Sequence, residues 1–170
     1  MRVILFRHGP AEPRDENLWP NDGDRPLTER GREKTRAAVG GLALLEPRVS
    51  RILTSPLVRC RQTAETLRDH VKSAHGLEDW HDLAPGGSNS AILQGIHGYR
   101  DQESIILVGH EPDLGFLAGS LLFGSGCLPF KKAGACSLTF DDEPAAGNGI
   151  LDWFLAPRLL RRLTGDRKEK

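Results

Sequence analysis

Apolar residues along the chain follow two rhythms, short unbroken runs that suit strands and longer stretches where they recur at helical spacing. Arg2 to Phe6 is a β-branched and apolar run closed by Gly9-Pro10, which predicts a strand feeding a turn. A polar loop extends to Pro26. Leu27-Thr28 then opens a helix, with Thr28 placed to cap it and Leu27 to staple onto its first turn. Ala37, Ala38, Gly41, Leu42 and Leu45 form its apolar stripe, and Pro47 stops it. Arg51 to Thr54 predicts a second strand. Ser55-Pro56 after it reads as an N-cap followed by proline at the first helical position, with the helix running to about Val71.

From Lys72 to Gly87 the chain is irregular, punctuated by Gly76, Pro85, Gly86 and Gly87, before Ser88 caps a modest helix through Tyr99. Ser104 to Val108 is almost continuously apolar, as in a strand buried on both faces of a parallel sheet. Pro112 suits a first helical position, and Leu114, Leu117, Leu121 and Leu122 give that helix its buried side. Cys136 to Phe140 and Ile150 to Leu155 are two further strands around the turn-rich Asp141 to Gly149, and the basic tail 158–170 is expected to fray. The alternation predicts a single α/β domain over residues 1–170, a three-layer α/β/α sandwich with a mainly parallel central sheet.

Composition narrows this only a little. A chain of 170 residues, 38% hydrophobic and 27% charged, is an ordinary globular domain with no apolar run long enough to span a membrane. The apolar N-terminus meets Arg7 too early for a secretory signal, and Cys60, Cys127 and Cys136 lack metal-like spacing. A cytoplasmic protein is expected, with all three cysteines as packing residues. Lys plus Arg and Asp plus Glu are both 23, so no overall field recommends a nucleic acid or a membrane as partner. Any anion site has to be local.

Three predicted strand-to-helix junctions carry Arg7-His8-Gly9, then Ser55-Pro56-Leu57-Val58-Arg59, then Gly109-His110-Glu111-Pro112. Ligands of open α/β sheets bind outside the carboxyl ends of the strands, where these junctions lie. Transfer of a phosphoryl group needs positive charge and donors aimed at its oxygens. Arg7 and Arg59 supply planar forks, His8 a nitrogen nucleophile able to form a phosphohistidine, and His110 a further donor. Arg7 and His8 are neighbours that a continuous strand would point to opposite faces, so both reach one pocket only if the strand ends there.

With Leu27-Thr28 and Gly31, Gln62-Thr63 after Arg59, and Gly109-His110, these motifs resemble the histidine phosphatase superfamily, also called phosphoglycerate mutase-like. Arg25-Pro26-Leu27-Thr28, Leu83-Ala84-Pro85-Gly86 and Gly134-Ala135-Cys136-Ser137 look most like its short phosphohistidine phosphatase branch. The resemblance implies a metal-free phosphatase without cofactor. His8 would be the phosphorylated nucleophile, and Arg7, Arg59 and His110 the phosphate pocket. The substrate would be a phosphohistidine-bearing protein, such as a histidine-containing phosphotransfer domain.

The mutase branch usually has Ser and Asn after Arg-His-Gly, where this chain reads Pro10-Ala11-Glu12-Pro13-Arg14. Asp82 is the nearest counterpart of the family's leaving-group acid; an imidazole leaving group needs such an acid far less than an alkoxide does. The alternatives are a broad small-molecule phosphomonoesterase, favoured if Asp82 or Glu111 reaches the leaving atom, and a phosphohistidine- or phosphate-binding module without turnover. Thr28 and Ser55 are read as helix caps and Glu111 as a first-turn residue favoured by the helix dipole. His70, His75, His81 and His97 are read as structural or solvated.

Overall fold

The computed structural model describes residues 1–165. Eight strands and five α-helices follow in order: β1 Arg2–Arg7, α1 Glu29–Leu45, β2 Arg48–Val49, β3 Arg51–Thr54, α2 Val58–His70, β4 Lys72–Ser73, β5 Leu77–Asp79, α3 Asn89–His97, β6 Ser104–Gly109, α4 Asp113–Phe123, β7 Ala135–Thr139, β8 Ile150–Leu155 and α5 Pro157–Leu163. The main sheet runs β5-β3-β6-β1-β7-β8, while β2 and β4 form a separate parallel pair. β5, β3, β6 and β1 pair in parallel, and β7 and β8 close the far edge antiparallel. The sheet is thus mainly parallel.

Alternation along the strands builds the three layers. Val3 and Leu5 of β1 and Ile105 and Leu107 of β6 face one way, onto Ile92 and Ile96 of α3 and Leu114, Leu117 and Leu121 of α4. Ile4, Phe6, Ile106 and Val108 face the other way, onto Val39 and Leu42 of α1, Ala64 and Leu67 of α2, and Leu160 of α5. β1 and β6 are buried along nearly their whole length, which is why they read as unbroken apolar runs.

Most helix boundaries fall where the sequence puts them. Thr28 caps α1 by accepting from the Gly31 N–H at 2.8 Å, and Ser88 caps α3 by accepting from Ala91 at 3.1 Å. Two junctions differ. α2 begins at Val58 with Leu57 in the capping position, so Pro56 precedes the helix instead of opening it. α4 begins at Asp113, with Pro112 as its N-cap.

The expected frayed tail needs correction. Pro157–Leu163 is a helix started by Pro157 and anchored by Leu160, which is fully buried against α1; residues 166–170 lie outside the described part of the chain. The contact is tight, since a Cβ on Gly41 of α1 would stand 1.9 Å from the Leu160 carbonyl oxygen. Gly41→Ala is therefore expected to destabilise the protein by about 2 kcal/mol or more, read as a lower urea midpoint. An unchanged midpoint would mean that α5 does not pack there.

Candidate active site

β3, β6 and β1 lie side by side in parallel, so their carboxyl ends fall on one side of the sheet, where ligands of such sheets bind. β1 stops at Arg7, whose N–H donates to the Gly134 carbonyl at 3.0 Å, while the His8 N–H still donates to Gly109 at 3.1 Å. The Gly9 N–H then turns to the Thr63 hydroxyl at 3.1 Å, and that hydroxyl donates to the Arg59 carbonyl at 2.8 Å. A side chain at position 9 would collide with Thr35, its Cβ 1.9 Å from Oγ1. Gln62 accepts from the Leu27 N–H at 2.8 Å, which ties the start of α1 to α2. These contacts explain Gly9, Gln62 and Thr63 as fixtures that end the strand and aim His8.

His8, Arg7, Arg59 and His110 come together. The rings of His8 and His110 lie 5.1 Å apart, inclined at 56°, and both arginines act electrostatically on both histidines. His8 is 6% exposed, and Arg59 and His110 are 3% exposed. Burial, then His110 and the two guanidiniums, push the His8 ring down to about 3, against the bond to Gly9. Burial and then Arg59 and Arg7 do the same to His110, also to about 3, with Asp22 opposing. Both rings are neutral at neutral pH.

The Nδ1 of His8 lies 2.7 Å from the Gly9 carbonyl oxygen. A carbonyl only accepts, so Nδ1 carries the hydrogen and the lone pair belongs to Nε2. The Nε2 of His110 lies 2.8 Å from the Ser55 hydroxyl and 3.3 Å from the Cys60 sulfur. Burial pushes the Cys60 thiol up, so it remains S–H. Ser55 is thus a partner of His110, with only a long 3.4 Å contact from the Leu57 N–H, and its reading as a helix cap is corrected: the hydroxyl serves a ring three strands further along the chain.

The arginines are held in similar ways. Arg7 donates from Nη1 to the Phe130 carbonyl. Arg59 donates from Nη1 to the Asp22 carbonyl at 2.8 Å and from Nη2 to the Asp22 carboxylate at 3.0 Å. The Nη1–Nη2 end of the Arg59 fork is thus taken by Asp22. The Nε atoms of both arginines are buried with no hydrogen-bond partner among the described residues. That edge of each guanidinium can receive an anion.

Some site residues escaped the sequence reading. Asp22 and Arg25 sit in the polar loop after β1, which has no periodicity to mark them, although Arg25 belongs to the Arg-Pro-Leu-Thr motif. Glu111 is no first-turn residue; its carboxylate accepts from the Phe130 N–H at 3.1 Å, so it holds the segment whose carbonyl holds Arg7. Lys132 is exposed beside that segment; burial and then Arg7, Arg25 and Arg59 pull its pKa down. Asp82 accepts from the Trp80 indole at 3.2 Å and lines a small cavity with Leu83, Gly109 and His110. Of the cysteines, Cys60 and Cys136 are buried, whereas Cys127 is exposed and is not a packing residue. Among the described residues no cluster of His, Cys, Asp and Glu side chains could hold a metal ion, and no helix is long and apolar enough to cross a membrane.

The chain is similar to known proteins in sequence and in fold. Residues 3–87 match the family model of the histidine phosphatase superfamily (branch 1). The chain is 39% identical over 142 residues to an uncharacterized protein of Picosynechococcus sp., covering 81% of this chain and 84% of that protein. It is 29% identical over 160 residues to the phosphohistidine phosphatase SixA of Escherichia coli (strain K12), covering 92% of this chain and 94% of SixA. The solved structure of the protein histidine phosphatase SixA complexed with tungstate superposes with a TM-score of 0.83 at 27% identity, over 94% of this chain and 99% of that one. The chain belongs to the histidine phosphatase superfamily, branch 1.

Proposed function

We propose that the protein hydrolyses the N–P bond of phosphohistidine on a protein substrate, through a phosphoryl group carried transiently on Nε2 of His8 and without a metal. The observation that carries this reading is the Nδ1 contact of His8 with the Gly9 carbonyl, which puts the ring's lone pair on Nε2. Nε2 attacks phosphorus, the N–P bond to the substrate imidazole breaks, and that imidazole departs with its electron pair. Water then attacks the phosphoryl group on Nε2, releasing inorganic phosphate and restoring neutral His8. The unpartnered Nε edges of Arg7 and Arg59 receive the non-bridging oxygens, so the positive charge comes from the chain itself. A Ser55 hydroxyl donated to Nε2 of His110 leaves the His110 hydrogen on Nδ1, as a further donor to those oxygens.

The likeness to SixA, named a phosphohistidine phosphatase, supports the substrate class. So does the engagement of both candidate acids, Asp82 by Trp80 and Glu111 by Phe130. An imidazole leaves without a positioned acid, whereas an alkoxide does not.

One observation favours a phosphate monoester instead: burial pushes the Glu111 carboxyl up from its ordinary value, the direction that suits a general acid, despite its backbone bonds and Arg7. Parallel rates on a phosphohistidine protein and on a simple aryl phosphate, with wild type and Glu111→Gln, decide between them. The N–P substrate is expected to be turned over at least about tenfold faster, and to lose less on the substitution than the monoester does. Faster monoester turnover that collapses in Glu111→Gln would assign the protein to the monoesterases. Chelator is expected to leave both rates unchanged.

A further inference from the structure

We propose that Asp22 is a positioning residue of the phosphoryl pocket, holding one edge of the Arg59 guanidinium so that the other edge is presented to the phosphoryl oxygens. The inference rests on the proposed role of Arg59 and goes beyond it.

A guanidinium offers five N–H groups along two usable edges, an end formed by Nη1 and Nη2 and a side that includes Nε. Asp22 takes the end twice over, with its backbone carbonyl on Nη1 at 2.8 Å and its carboxylate on Nη2 at 3.0 Å. The Nε of Arg59 stays buried and unpartnered among the described residues. An anchor at two points leaves the guanidinium plane no freedom to swing, so the Nε edge has one direction left. Arg7, tied through Nη1 to Phe130 with its own Nε unpartnered, repeats the arrangement from another part of the chain.

Asp22 also answers the charge problem of the site. The other oxygen of its carboxylate accepts from Arg25 Nε at 3.0 Å and Nη2 at 2.9 Å, with Arg14 Nε at 3.8 Å. Arg7, Arg25, Arg59 and Lys132 would otherwise repel one another across the site. Burial acts to raise the Asp22 carboxyl, but Arg59 and Arg25 outweigh it and hold the group below the usual carboxylate range, so the anchor keeps its charge. Asp22 is itself fixed in a short 3-10 turn, Asp22–Asp24, capped by Asn21, whose side-chain oxygen accepts from Gly23 N–H at 3.1 Å.

The same contacts would suit an internal anion that competes with substrate for Arg59, and the two roles predict opposite signs. The test measures kcat/KM on a phosphohistidine protein and the inhibition constant of inorganic phosphate for wild type, Asp22→Asn, Asp22→Ala, Arg59→Ala and the double variant Asp22→Ala/Arg59→Ala. The expected result is a loss of about tenfold in kcat/KM for Asp22→Asn and up to about a hundredfold for Asp22→Ala, with phosphate bound more weakly in both. In the Arg59→Ala background the loss of Asp22 should add little, because its effect passes through Arg59. A generally weakened loop would instead cost the same in both backgrounds, and a urea midpoint for each variant separates that case. Tighter phosphate binding or unchanged activity in Asp22→Ala, or additive losses, would overturn the inference. Full activity in Arg59→Ala would instead sink the proposed role of Arg59.

Discussion

Replacing His8 by glutamine is expected to lower turnover by roughly 10⁴-fold or more, as loss of a covalent nucleophile does elsewhere. Glutamine has a polar side chain of similar reach but no nitrogen lone pair able to form a phosphoramidate. The arrangement around it should survive: the Gly9 N–H keeps its bond to Thr63, and Arg7 and Arg59 keep their anchors on Phe130 and Asp22. Inorganic phosphate should therefore still bind within about threefold of wild type, because the guanidiniums hold the anion and the imidazole does the attacking. Single-turnover kinetics and phosphate inhibition measured on the same preparation separate the two effects. Retained turnover would mean that the nucleophile lies elsewhere, and loss of phosphate binding would mean that the substitution had damaged the pocket.

Arg59→Lys is the second large effect, a fall of about 10²- to 10³-fold in kcat/KM with the net charge unchanged. An ammonium group is a compact point charge. It cannot donate to the Asp22 carbonyl, to the Asp22 carboxylate and to a phosphoryl oxygen in the fixed directions that the guanidinium allows. Arg59→Ala should go further in stability, because it leaves the partly buried Asp22 carboxylate with Arg25 as its remaining close partner. Comparing the two variants separates geometry from charge: similar losses of activity with a smaller loss of stability for lysine are expected. A lysine variant within a few-fold of wild type would show that position 59 supplies only charge.

Much of this was legible in the chain before any coordinates. β1 and β6 are buried on both faces, which leaves the unbroken apolar runs that announce them, and parallel strands deliver their ends to one side of the sheet. Arg7 ends β1, His8 and His110 directly follow β1 and β6, and Arg59 lies in the first turn of α2 just after β3, so the sequence order of motifs was already a spatial statement. What could not be read depends on contacts that carry no local signal. Phe130 holds Arg7 through a backbone carbonyl, which any residue at that position could offer. Asp22 lies in an aperiodic loop, and only the fold brings it onto Arg59.

Ser55 departs from its expected role for a related reason. Its sequence context is that of a cap, but the folded chain brings His110 within 2.8 Å of its hydroxyl. The helix at Pro157–Leu163 was masked by its charge. Arg158, Arg161 and Arg162 suggest a solvated tail, yet proline at its start and Leu160 on one face are enough for a short helix packed on α1.

Whether His8 itself becomes phosphorylated can be read by mixing the protein with a phosphohistidine protein, quenching in alkali during the first turnover and locating the phosphoryl group by mass spectrometry. Phosphate on His8, missing from the His8→Gln variant, is the expected result. Phosphate on another side chain, or rapid turnover with none bound at any time, would contradict it.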